Sequence, residues 1–116
     1  MEEILEQALL YDFYGELLTE HQKEIYEQFV LEDLSLGEIA RDAGISRQGV
    51  HDLIKRCNKT LQGYEDKLHL VEKFLTIKAK VQNMNEIIDS YESTDESTRK
   101  LASDIRKISD EIIEEL

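Results

Sequence analysis

Turn-forming residues are scarce in this sequence. Its 116 residues include no proline and only five glycines. An all-β domain of this length would need many tight turns, and such turns use glycine and proline. The chain also lacks any run of about 18 consecutive apolar residues, which a transmembrane helix requires. These absences favour an all-α fold with no membrane-spanning segment.

Cysteine is nearly absent as well. Because Cys57 is the only one, the chain can form neither an internal disulfide nor a cysteine-based metal site. Such sparse use of cysteine is typical of a reducing compartment. The first residues are acidic and do not form the basic and apolar regions of a signal peptide, so none is expected. Together these features predict a cytoplasmic protein.

Motifs for catalysis and for cofactors are missing too. The sequence has no glycine-rich phosphate loop, no GxSxG turn and no Cys–His nucleophile pair. The histidines His21, His51 and His69 are scattered along the chain, and we expect no metal site. We therefore predict a protein that is not an enzyme and that has no catalytic residues and no cofactor.

Negative charge is what the sequence has in excess. It contains 26 Asp and Glu against 14 Lys and Arg, for a net charge of −12. Residues 1–33 hold ten acids and one base, whereas residues 34–60 hold three acids and five bases. Affinity for nucleic acid comes largely from Lys and Arg, so any such contact is expected in the window 34–60. The acidic segment is either a solvated surface or a docking surface for a basic partner.

Helix-start signals occur twice before that window ends. Thr19 with Gln22, and Ser35 with Glu38, have the spacing of a capping box. In this motif the hydroxyl accepts an amide of the first turn, and the second side chain returns to the amide of the cap. The two boxes predict a helix over about residues 20–32 and a short helix after Ser35.

Residues 34–56, LSLGEIARDAGISRQGVHDLIKR, have the pattern of a helix-turn-helix. Ala40 is small where two helices must approach closely. Gly44 favours the left-handed conformation that ends a helix, and Ile45 is expected to fill the corner. Ser46 is then the N-cap of a second helix with an apolar row. The predicted row consists of Val50, Leu53, Ile54, Cys57 and Leu61.

The exposed side of that second helix carries the candidate binding residues. Those expected to reach base edges in a major groove are Arg47, Gln48, His51 and Lys55. Arginine can bind guanine through two hydrogen bonds and glutamine can do the same with adenine. Candidates for phosphate contacts are Arg41, Arg56 and Lys59. The same side chains would form a plain solvated face if the motif serves as an interaction module.

Apolar spacing continues beyond this motif and predicts helical structure over about 46–92, with a break near Gly63 as an open alternative. After a polar segment at 93–97, a last helix carries Leu101, Ile105, Ile108, Ile112 and Leu116, and we expect it to return antiparallel to the preceding helix. We predict a helix-turn-helix domain at 1–62, and a long-helix extension with the C-terminal helix at 63–116. Apolar rows longer than the last helix can cover predict a homodimer through this second region.

The run LTEHQKEIYEQFVLEDLSLGEIARDAGISRQGVHDLIKRCNKTLQGYE resembles region 4 of bacterial sigma factors. With the preceding ALLYDFYGELLTEHQ, the sequence more closely resembles the YlxM family of small proteins. The resemblance covers nearly the whole chain and is strongest from Leu9 to about Leu75. Within these 116 residues there is no counterpart of the sigma domains that melt promoter DNA or read the second promoter element.

The resemblance implies an all-helical protein with a sigma-like helix-turn-helix. Together with the apolar spacing, it predicts that this bundle is followed by long helices and a C-terminal helical hairpin. Genes of the YlxM family typically neighbour the gene of the signal recognition particle GTPase, which implies a regulatory role in that pathway. Two hypotheses follow. The protein binds DNA through its recognition helix, or it docks on the signal recognition particle GTPase or its RNA–protein complex without reading nucleic acid.

Overall fold

The computed structural model describes residues 3–91 and 95–116, and all regular structure in these ranges is helical. The α-helices are α1 (Glu3–Tyr14), α2 (Glu20–Val30), α3 (Leu36–Ala43), α4 (Arg47–Leu68), α5 (Leu70–Ser90) and α6 (Glu96–Glu115). A short 3₁₀ helix, Gly15–Leu17, follows α1. The predicted all-α fold is confirmed. None of these helices is both long and apolar enough to span a membrane.

Both predicted capping boxes are formed. The Thr19 hydroxyl accepts the amide of Gln22 at 3.2 Å, and the Gln22 side chain accepts the amide of Thr19 at 3.0 Å. Ser35 and Glu38 form the same reciprocal pair, with both distances 3.1 Å. The hydrogen bond from the Ser35 amide holds the pKa of the Glu38 carboxyl below its usual value. These local contacts fix the starts of α2 and α3.

Helix α4 is the central element of the first half of the chain, because α1, α2 and α3 all pack on it. Its buried row is Val50, Ile54, Cys57 and Leu61, in agreement with the predicted spacing. The partners of this row are Leu10, Tyr11, Tyr14, Leu18, Ile25, Tyr26, Val30, Ile39 and Ala40. Burial raises the pKa of the Cys57 thiol to about 11, so this side chain is a neutral core residue.

Three buried tyrosines direct their hydroxyl groups at polar partners along the edge of this core. Tyr11 donates to the carboxylate of Glu27, and Tyr26 donates to the side-chain oxygen of Asn58. Tyr14 donates to Glu65 at 2.6 Å. Burial raises the pKa of all three phenols, so they remain neutral hydrogen-bond donors. The tyrosines therefore bury aromatic surface without leaving a polar group unpaired.

The break in the long helical segment lies at His69 rather than near Gly63. His69 adopts φ 56° and ends α4 in the left-handed conformation, whereas Gly63 lies inside α4. The next two amides bind side chains of α1 and α4, since Leu70 donates to the Tyr14 hydroxyl at 3.2 Å and Val71 donates to Glu65 at 3.0 Å. These contacts satisfy the free amides of a new helix start, so α5 begins directly after the break.

The structure divides into two compact units, of which the first extends to Val71 and the second begins at Glu72. Leu61 and Val71 are buried in the core of the first unit. The apolar row from Leu61 to Leu75 is therefore not a continuous uncovered stripe. Only Leu68 and Leu75 in that row remain exposed.

The second unit is an antiparallel hairpin of α5 and α6. Asn85 donates to Asp110 at 3.5 Å, and Asp89 forms an ion pair with Arg106. Because Asp89 follows Asn85 while Arg106 precedes Asp110, the two helices run in opposite directions, as predicted. Ser93 and Thr94 of the predicted polar segment lie outside the described residues, and Asp95 is the N-cap of α6.

The side of α6 that faces α5 differs from the prediction. The row of α6 that is buried or half-buried is Ala102, Arg106, Ser109 and Ile113, and Ser109 is only 1% exposed. The apolar row expected to make the return, Leu101 to Leu116 at every third or fourth residue, stays 39–59% exposed. Small Ala102 and Ser109 allow close approach to α5, and Arg106 adds its ion pair. Periodicity alone did not indicate that a mixed row would be preferred.

Truncation of Ile54 tests the assignment of the buried face of α4. Ile54 is 6% exposed, and Ile54→Ala is expected to lower the free energy of unfolding by about 2–5 kcal/mol through lost burial and a residual cavity. The neighbouring exposed Lys55→Ala is the matched control and should change it by about 0.5 kcal/mol or less. Urea denaturation followed by circular dichroism measures both. Equal stability of the two variants would contradict the assignment.

Candidate nucleic-acid interface

The turn between α3 and α4 has the predicted geometry. Gly44 adopts φ 71°, and its amide and that of Ile45 both donate to the carbonyl of Ala40, at 3.0 and 3.2 Å. The Ser46 hydroxyl accepts the amide of Gly49 at 2.9 Å and caps α4. These three hydrogen bonds end α3 at Gly44 and start α4 after Ser46.

Ile45 does not fill the corner, contrary to the prediction. Its side chain is 37% exposed, and residues 41–48 around it are all exposed. The interior between the two helices is instead closed by Ile39 and Ala40 of α3 against Val50 and Ile54 of α4. The turn therefore lies at the surface and leaves the start of α4 accessible.

All seven candidate residues are exposed. At 100° per residue, Gln48, Lys55, Arg56 and Lys59 lie within about 50° of the direction opposite the buried row of α4, and His51 lies about 90° from that direction. Arg47 lies nearer the buried row but is exposed at the start of α4. Arg41 lies on a different element, in the last turn of α3. The six residues of α4 thus form one accessible surface, which we call the outward face.

Asp52 is an acidic member of the outward face that was missed in the sequence. Gln48 donates to its carboxylate at 3.0 Å, and His51 Nδ1 lies 3.6 Å from the same oxygen. The hydrogen bond from Gln48, with smaller contributions from His51 and Arg56, holds the pKa of Asp52 below its usual value. The spacing of four residues between Gln48 and Asp52 is the signal that could have predicted this pair. The side-chain amide of Gln48 is therefore already engaged by a neighbour on the same helix.

The start of α4 differs electrostatically from the other helix starts. No acidic side chain lies in its first turn, whereas the first turns of α1, α2, α3, α5 and α6 each contain one or more. The positive end of its helix dipole is therefore not neutralised by a carboxylate, and Arg47 adds a full positive charge there. Free amides and positive charge at a helix start favour a phosphate group.

Comparison with known proteins agrees with this geometry. The profile of the family described as "Putative helix-turn-helix protein, YlxM / p13 like" (UPF0122) matches residues 1–108. The chain belongs to the UPF0122 family. A UPF0122 protein of Acetivibrio thermocellus is 45% identical across 100% of this chain and 97% of its own length. A UPF0122 protein of Caldanaerobacter subterraneus is 48% identical over 87 residues, which cover 75% of this chain and 74% of the relative.

The UPF0122 match confirms the family inferred from the sequence. A third relative, from Bacillus thuringiensis, is 40% identical over 99 residues, or 85% of this chain and 90% of the relative. The family description names a helix-turn-helix, and the motif lies within the matched residues. The turn at Gly44 and the cap at Ser46 supply its geometry in this UPF0122 chain.

Two glycines of this UPF0122 chain provide a matched test of the turn. A Cβ atom added to Gly44 or to Gly63 would meet no atom within 4 Å, so only backbone conformation distinguishes them. Gly44→Ala places a side chain at positive φ and should lower the free energy of unfolding by about 1 kcal/mol. Gly63→Ala lies inside α4 and should raise it by about 0.5–1 kcal/mol. Thermal and urea unfolding measure both, and changes of the same sign would contradict the assigned turn.

Proposed function

We propose that this protein is a regulator that binds DNA through α4 of its helix-turn-helix. The observation that carries the proposal is the outward face, where Gln48, His51 and Lys55 lie at three- and four-residue spacing and are all exposed. Side chains of this kind on a second helix reach base edges when the helix enters a major groove. Phosphate contacts by Arg41, Arg56 and Lys59 would then position the protein on the duplex.

The charge distribution supports a selective rather than a general binder. Residues 46–59 contain four bases and one acid, while residues 1–33 contain ten acids and one base. Acidic surface elsewhere opposes binding to DNA of arbitrary sequence, because that affinity depends on neutralising phosphates. We therefore expect tight binding only where base contacts add to the phosphate contacts.

Charge removal from the outward face tests the proposal. A random-sequence duplex pool of about two helical turns is first enriched for binding to the wild-type protein. Arg47→Ala combined with Lys55→Ala should then weaken binding to the enriched duplex by at least about tenfold, because two direct contacts are lost. Fluorescence anisotropy measures the dissociation constants. The salt dependence of the association constant should also become weaker, by an amount that corresponds to up to about two fewer neutralised phosphates.

Lys100→Ala combined with Lys107→Ala is the matched control, since it removes the same charge from exposed positions of α6. It should leave binding nearly unchanged. Asp52→Asn removes a negative charge from the outward face and should strengthen binding. If the control pair weakens binding as much as the α4 pair, or if no duplex is enriched, α4 is not the reading element.

A second candidate is docking on the signal recognition particle GTPase or its RNA–protein complex. The acidic surface of the first unit favours it, because such a surface attracts a basic partner. The pathway itself rests on the resemblance to the YlxM family. Pull-down with the purified GTPase and its RNA, separately and together, tests this candidate. The docking candidate predicts that the GTPase retains the wild-type protein and the Arg47→Ala, Lys55→Ala variant. It also predicts that the GTPase does not retain the Glu20→Gln, Glu24→Gln variant.

Both candidates place the protein in the cytoplasm, and neither requires a catalytic step or a cofactor. In the docking candidate the helix-turn-helix is an interaction module, and the outward face is not used for base contacts.

A further inference from the structure

The hairpin of the second unit leaves its most apolar surface uncovered. The exposed row of α6 consists of Leu101, Ile105, Ile108 and Ile112, and Leu116 continues it directly after the helix. On α5, Ile77 and Met84 are seven residues apart and 41% exposed, and Tyr91, directly after α5, continues this spacing at 60%, with Ile87 beside them at 62%. Rows of this kind are typical of helices that pack against a further helix layer.

The two exposed rows lie on the same side of the hairpin. The buried or half-buried row of α5 is Phe74, Lys78, Val81, Asn85 and Ile88. At 100° per residue, each exposed row is rotated by about 80° from the buried row of its own helix, and both rotations have the same sense. Because α5 and α6 run antiparallel, rotations of the same sense bring both rows to one side of the plane that contains the helix axes. The rows therefore form one two-helix apolar surface, which we call the open face.

The open face is large enough for a stable interface. Among the described residues of the second unit, 72–91 and 95–116, ten large apolar side chains remain 39–62% exposed, nine of them on the open face. Together they present on the order of 800 Å², about what each partner contributes to a standard specific interface. By contrast, buried side-chain atoms of Asn85, Arg106 and Ser109 between α5 and α6 have no hydrogen-bond partner. Burial of the open face would therefore stabilise the second unit, because its exposed apolar area would be removed from water.

We propose that the open face binds the open face of a second copy of this chain, so that two hairpins form a four-helix bundle. The charges at the edges of the open face select this partner and its orientation. The outer edge of α5 carries Lys80, while the outer edge of α6 carries Glu115, with Glu111 one turn before it. A two-fold axis parallel to the helices places α5 on α6 of the second copy, so that basic edges meet acidic edges. An axis across the helices would place like charges together.

The hairpin register identifies a specific contact in this arrangement. Asn85 lies level with Asp110 and Asp89 lies level with Arg106, so Lys80 lies level with Glu115 along the helix axes. A two-fold axis parallel to the helices preserves these levels. Lys80 of each copy therefore lies opposite Glu115 of the other copy, and the contact occurs twice in the dimer.

Sedimentation equilibrium of the full chain at about 50 µM tests the dimer. The expected mass is twice the 13.5 kDa of one chain. Ile108→Glu should reduce the mass to that of one chain, because it would bury an unpaired charge at the interface. Ser103→Glu is the matched control, since Ser103 is exposed on the opposite side of α6, and it should remain a dimer. Circular dichroism of each variant verifies that the helices are retained.

A charge exchange tests the orientation and does not depend on the folding of the Ile108 variant. Lys80→Glu should weaken dimerisation roughly tenfold, because like charges then meet at two equivalent contacts. Addition of Glu115→Lys should restore it. A monomeric wild-type protein, or a dimer unaffected by Ile108→Glu, would overturn the proposal. Failure of the exchange to restore the dimer would overturn the pairing of α5 with α6.

Discussion

Burial of a single row on α4 is the constraint on which the first unit depends. Val50, Ile54 and Leu61 are almost completely buried, and each contributes about 1.5–3 kcal/mol by leaving water. Helices α1, α2 and α3 all pack on this helix. The three short helices have no comparable common partner among the described residues, so the position of each follows from the position of α4.

Burial of this row leaves the opposite side of α4 exposed. In a helix, side chains at three- and four-residue spacing share a face, so the buried residues and the outward face are separate sets. Changes on the outward face therefore have little effect on the core. The N-cap at Ser46 and the left-handed Gly44 place the start of this helix at the surface. Helix α4 thus both organises the first unit and carries the proposed DNA-binding side chains.

Local signals explain why much of this fold could be predicted from the sequence. Capping boxes, the N-cap at Ser46 and the left-handed Gly44 depend on residues within four positions of each other. The break at His69 could not be predicted in this way, because the amides that follow it bind partners that include Tyr14, 56 residues distant from Leu70. The sequence pattern left a break near Gly63 only as an alternative to a continuous helix, since glycine is a weak helix former.

In the outward face and in the second unit, too, sequence spacing predicted which residues share a side of a helix but not which contacts they make. Helical spacing correctly assigned the exposed candidates of α4, but the hydrogen bond that joins Gln48 to Asp52 depends on side-chain conformation. In α6, spacing identified the apolar row but not which row faces α5. Small residues and the Arg106 ion pair decided that choice, and the apolar row was left on the outside. In the first unit the predicted apolar row of α4 is the one that the chain buries.

The most direct test of the role of α4 is an NMR titration of the ¹⁵N-labelled protein with a duplex enriched for binding to it. If α4 reads DNA, the largest chemical-shift changes will occur at amides of residues 46–59 and in the last turn of α3. Amides of α1 and the first turn of α2, where acidic residues predominate, will change little. Largest changes in α1 and α2, with none in residues 46–59, would contradict that role.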